Sequence, residues 1–143
     1  LQITSLAVHP GDRMSATISE VVSGSNAWTI TLKDLTTGQS FSTTVPYSST
    51  HATAEWIEET PLLIGTSGTG LSAMPNLGTV HFTNSTVNGA PAGLRTQEQM
   101  QLVGANGNVL ATPSVPISPA AFNDCTYSTS CSAAAAKKRH HHH

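Results

Sequence analysis

Short runs rich in Val, Ile, Thr and aromatic residues alternate along this chain with clusters of turn residues, and no stretch of helical length keeps an apolar period near 3.6. Side chains on a strand point alternately to two faces, so runs of this kind bury one face and expose the other. The chain is therefore expected to be nearly all β. A strand is expected to run from Met14 towards Val21, with Met14, Ala16 and Ile18 at alternate positions, after the turn His9-Pro10-Gly11-Asp12. Residues 28–34 set Trp28, Ile30 and Leu32 against Thr29, Thr31 and Lys33, and Thr37-Gly38 turns this run into residues 39–45 as a hairpin. Further strands are expected over 52–59, 78–84, 99–104 and 109–115, with an irregular segment over 61–75. Pro113, Pro116 and Pro119 mark an edge strand that runs out into an extended tail, because proline cannot donate to a central ladder. Strands at this spacing predict a two-sheet antiparallel β-sandwich of the concanavalin-like jelly-roll type.

A chain of 143 residues suits one domain with its own core, expected over residues 1–132. Residues 133–143 read as a linker and histidine tag, so His140 to His143 are set aside as metal ligands. Without that tail only Arg13, Lys33 and Arg95 stand against eight acidic residues, a net charge of −5. Such a surface cannot neutralise a run of phosphates, which excludes nucleic acid as a partner, and it does not favour an anionic membrane. No run of about 18 apolar residues spans a bilayer. Charged residues make up 10% of the chain, with Ser, Thr, Ala and Gly in their place, which suits a secreted or acid-exposed protein. Neither a signal peptide nor an initiator Met precedes Leu1, so either a processed N-terminus or an incomplete chain is expected. Cys125 and Cys131 are spaced to close a local disulfide. Two cysteines cannot build a zinc site alone and His9, His51 and His81 are scattered, so neither metal nor cofactor is expected.

Chemistry concentrates in Ala54-Glu55-Trp56-Ile57-Glu58-Glu59. Extended backbone puts Glu55, Ile57 and Glu59 on one face and Trp56 and Glu58 on the other. On spacing alone two readings of Glu55 stand: a carboxylate on a solvated sheet face, or a carboxylate in a concave groove that takes a proton from water. Ile57 and Glu59 would line that groove, and a carboxylate at Glu59 could tune Glu55. Trp56 is expected in the core. The glycine-rich segment 65–70 lacks a Walker lysine and precedes no helix, so it is read as a flexible loop near the groove, not a phosphate cradle.

The order of four segments resembles the glutamic peptidases, or eqolisins, a family of acid-acting endopeptidases. They are Val8-His9-Pro10-Gly11-Asp12, Leu35-Thr36-Thr37-Gly38-Gln39, Ala54 to Pro61 with its Ala-Glu-Trp-Ile element, and Phe82-Thr83-Asn84 after Gly78-Thr79. The similarity covers roughly Ser5 to Val115 and implies two curved antiparallel sheets with a groove across the concave face. It also implies a catalytic glutamate and glutamine, and the glutamate of the Ala-Glu-Trp element is matched by Glu55. That residue would activate water as general base and then protonate the leaving amine, while the glutamine amide holds the oxyanion. The base must be ionised in acid, so a glutamate buried away from water would not serve.

The family's glutamine lies in an earlier segment, after a Trp-Val-Gly-Ile-Asp-Gly type element, and this sequence has no such element. Gln2, Gln39, Gln97, Gln99 and Gln101 all lack that context, and none is assigned the role. Some members of the family consist of a small N-terminal and a large C-terminal chain held together without covalent linkage. The expectation is thus the large-chain portion of a secreted glutamic endopeptidase, without its N-terminal strands, acting on polypeptides and completed by a glutamine-bearing, non-covalent N-terminal light chain or fragment. The alternative is a catalytically inactive sandwich that binds carbohydrate or serves as a cell-surface module, since fold does not dictate function.

Overall fold

The computed structural model describes residues 3–65 and 68–135. Gln2 and the basic and histidine run at 137–143 lie outside the described residues. The chain divides into two compact units, Leu1–Thr53 and Ala54–His143.

In the first unit β1 (Met14–Glu20), β2 (Ala27–Asp34) and β3 (Ser40–Pro46) form an antiparallel sheet in the order β1-β2-β3. The alternation read in the sequence sets the register. Ile18 pairs with Ile30 and Leu32 with Phe41, which gathers Ala16, Ile18, Ile30, Leu32, Phe41 and Val45 on one face. The opposite face is hydroxylic, with Thr29 bonded to Thr44 at 3.2 Å and Thr31 to Ser42 at 2.9 Å. At the β2–β3 turn the fully buried Asp34 accepts the Thr36 and Thr37 amides on Oδ1 at 2.7 and 3.0 Å. Burial alone would raise the Asp34 carboxyl, but the Thr37 and Thr36 amides outweigh it and hold it below the usual range. At the other end of the sheet Trp28 Nε1 donates to the Tyr47 carbonyl at 2.9 Å. His51 lies 5.3 Å from the Trp28 ring and 3.3 Å from Glu20.

The second unit holds β4 (Leu62–Gly65), β5 (Gly68–Leu71), β6 (Thr79–Phe82), β7 (Thr86–Val87), β8 (Ala90–Pro91), β9 (Leu102–Val103), β10 (Val109–Pro113) and β11 (Phe122–Thr126). One turn of 3-10 helix spans Thr96–Glu98. The main sheet runs β6-β11-β10-β9, and β4-β5 and β7-β8 are separate hairpins, all antiparallel. Between β7 and β8, Asn88 and Gly89 take φ values of 52° and 79°, the pair of positive angles that a two-residue type I′ turn requires.

Three expectations are corrected here. Residues 52–59 join no ladder, and among the described residues no backbone hydrogen bond holds 52–60. The segment 61–75 is not irregular, because it contains the β4-β5 hairpin. Finally β10 is not an edge strand: β9 flanks it as far as Ala111, and beyond that point the Gln99 side chain donates to the Pro113 carbonyl at 3.1 Å. Proline fits because it sits where the ladder with β9 has already ended. The chain after Pro119 then returns as β11, a central strand and the most buried one.

Sequence periodicity could not find β11 because its buried residues are mostly polar. Asn123, 2% exposed, accepts from His81 Nδ1 at 2.6 Å and donates to the Ser132 and Ala134 carbonyls at 2.7 and 2.8 Å. Each of its bonds offsets the cost of burying an amide. Cys125 is joined by a disulfide to Cys131, with Cα atoms 5.5 Å apart, and ties the end of β11 to the tail that supplies those carbonyls. Replacing both cysteines by serine is expected to cost about 2 kcal/mol, the loop-closure entropy of so short a ring. Urea denaturation of the double variant checks this.

Candidate active site

The segment bearing Glu55 keeps the period of two without a ladder. Residues 55 to 60 alternate strictly: Glu55, Ile57 and Glu59 are exposed, while Trp56, Glu58 and Thr60 are half-buried. The two faces read from the sequence are therefore present in space. Glu55 meets the requirement that its carboxylate be reached by water. Ile57, 55% exposed, and Glu59 share its side of the segment, so a chain lying along that side would meet all three.

On the opposite side lies a feature that sequence reasoning missed. Both carboxylate oxygens of Glu58 are buried with no hydrogen-bond partner, and so is Asp124 Oδ1 on β11. Burial pushes the Glu58 carboxyl up, the Asp124 charge adds to it, and the group reaches about 7. Burial also raises Asp124, which is 6% exposed, against the opposing pull of the Cys125 amide. Such displaced carboxyls mark functional sites more often than random surface does. The signal was present in the sequence, since alternation puts Glu58 on the same side as Trp56, but the acidic neighbour lies on a strand that periodicity did not reveal.

The glutamines are disposed differently. Gln39 and Gln97 are exposed. Gln101 Nε2 donates to Thr112 Oγ1 at 2.9 Å, and with Gln99 it closes the β10 edge over a cavity of about 230 Å³. Both side-chain amides are thus committed to β10. A second, apolar cavity of about 400 Å³ opens between Thr60, Leu71, Met74, Val103, Leu110 and Tyr127. The Tyr127 hydroxyl donates to the Met74 carbonyl at its wall.

Comparison with known proteins bears on this arrangement. The profile of the Peptidase A4 family matches residues 1–127, which extends the span read from motifs to include β11. Among curated proteins no match is found. Among solved structures the chain is similar to the crystal structure of aspergilloglutamic peptidase from Aspergillus niger, with 26% identity over 87% of this chain and 71% of that one and a TM-score of 0.68. The antiparallel sheets described above match the β-sandwich of that structure. With a family profile running through nearly its whole length and a like fold in a glutamic peptidase, the chain belongs to the Peptidase A4 family, the glutamic peptidases.

Proposed function

We propose that this chain is the glutamate-bearing portion of a secreted, acid-acting endopeptidase, with Glu55 as its general base and acid. The observation that carries the reading is an exposed Glu55 within the Ala-Glu-Trp-Ile element of a chain that belongs to a peptidase family. In the reaction, the Glu55 carboxylate takes a proton from a water molecule as the water oxygen bonds to the scissile carbonyl carbon. The carbonyl oxygen becomes an oxyanion and is held by an amide donor. Glu55 then passes the same proton to the amide nitrogen as the C–N bond breaks, leaving an acid, an amine and a regenerated carboxylate. Ile57 and Glu59, on the same side, are proposed to contact the substrate chain.

The amide donor is proposed to be a glutamine on an N-terminal portion, a non-covalent light chain. Two facts support this source: Gln99 and Gln101 are occupied on β10, and the similar structure is longer than its match with this chain, which covers 71% of it. A polypeptide substrate fits the family, and the low charge density fits secretion into an acidic medium. The test is incubation of the chain, with its glutamine-bearing portion present, with denatured casein in acid, followed by mass spectrometry of the products. Internal peptides, each gaining one water at a new pair of termini, are expected. Intact casein after incubation with a folded sample would contradict the reading.

A further inference from the structure

The segment carrying Glu55 has no backbone bonds to hold it, so its position must come from side chains. Among residues 55–60, Trp56, Glu58 and Thr60 are the ones turned inward. Glu58 is the unusual member of this set because it buries both carboxylate oxygens without a donor, within reach of the charge of an Asp124 that also lacks a donor on Oδ1. A buried carboxylate without donors is costly, whereas a neutral carboxyl in the same place costs far less. Two neighbouring carboxyls compound the effect, because the first to ionise opposes the second.

We infer that Glu58, seated in its neutral form beside Asp124 of β11, anchors the Glu55-bearing segment in acid and lets it go when both carboxyls ionise. Glu58 and Asp124 are then positioning residues, which act on the reaction only through Glu55; this role rests on the proposed function above. Among the described residues no salt bridge reaches either carboxyl. The cross-strand neighbours of Asp124 are Val80 on β6 and Pro113 on β10, neither of which titrates. His81, one step along β6, is engaged by Asn123, and among the described residues the charge that acts on Glu58 is that of Asp124.

The sign follows from proton linkage. Glu58 binds its proton more tightly in the folded chain than in the unfolded one, so the anchoring is complete below the ordinary value of 4.5 and is lost as the pH climbs to about 7. The raised Asp124 acts in the same direction. A peptidase built this way is disabled at neutral pH by release of the segment, independently of the ionisation that its base requires.

The test compares wild type with Glu58→Gln, which keeps the size of the side chain and removes its charge. Cleavage of a quenched peptide is expected to fall in wild type as the pH rises through about 7. In the variant the acid limb should stay in place and the alkaline limb should move up by a unit or more, an activity ratio of about tenfold on that limb. Tryptophan fluorescence supplies a readout that needs no catalysis: a transition near the same pH in wild type, absent from Glu58→Gln. If Glu58→Gln does not fold, Glu58→Met carries the same comparison. An alkaline limb and a fluorescence profile that are the same with and without the Glu58 carboxyl would overturn the inference. A fluorescence transition that Glu58→Gln abolishes, in a protein that cleaves nothing, would leave the anchor standing and remove the peptidase reading alone.

Discussion

Glu55→Gln is expected to lower kcat/KM for peptide cleavage by about 10²–10⁴, the usual contribution of a positioned general base, while leaving the fold and KM nearly unchanged. The structural half of this expectation follows from exposure. Glu55 faces solvent and makes no hydrogen bond among the described residues, so the swap removes a charge without opening a cavity or orphaning a donor. Exposed substitutions of this kind stay within about 0.5 kcal/mol of wild type. The catalytic half follows from chemistry: an amide cannot accept a proton from water in acid. Glu59→Gln, on the same side, is the control. It should alter KM more than kcat, because Glu59 is assigned to contact with substrate and not to proton transfer. Steady-state kinetics on the two variants, with circular dichroism to show that each is folded, checks both.

Phe122→Ala is expected to have the largest effect on stability, about 3–5 kcal/mol. Phe122 is 8% exposed and stacks on Phe82 with ring centroids 4.7 Å apart and planes 6° from parallel. The two are direct cross-strand partners on β11 and β6, so truncation removes both the buried area and the aromatic pair. A loss of this size is a large part of the 5–15 kcal/mol that holds an ordinary domain together. It also falls on the strand that carries Asn123, Asp124 and Cys125, so the tail and the seat of Glu58 should loosen with it. Phe82→Ala should cost less, since Phe82 is only half-buried. Urea denaturation would refute this account of the core if Phe122→Ala shifted stability by less than about 1 kcal/mol.

What could be read from the sequence divides along a physical line. Strands β1 to β3 were legible because each alternates apolar residues with Ser and Thr, and the register of Ile18 against Ile30 follows from that pattern. Strand β11 was not legible, because Asn123, Asp124 and Thr126 are buried polar residues, and the partners that offset the burial of Asn123, namely His81 and the tail carbonyls, cannot be foreseen. The Pro-rich approach to it also resembles a chain leaving the fold. The hairpin at Asn88-Gly89 did carry a signal, the dipeptide itself, between the strands expected over 78–84 and 99–104. For the site, the shared face of Glu55, Ile57 and Glu59 came directly from a period of two. The Glu58 carboxyl could not be understood without Asp124, which is distant in sequence and lies on the strand that periodicity missed.

The most direct measurement is cleavage of a quenched peptide library between about pH 2 and 7, a range that brackets the titration of a free glutamate, by wild type and Glu55→Gln side by side, each with the glutamine-bearing portion present. The account predicts cleavage that is strongest in acid for wild type and lost in the variant, with the oxyanion donor supplied by a glutamine outside this chain. Equal cleavage by both, or none by a folded wild type at any pH, would contradict it and leave the family resemblance as a likeness of fold.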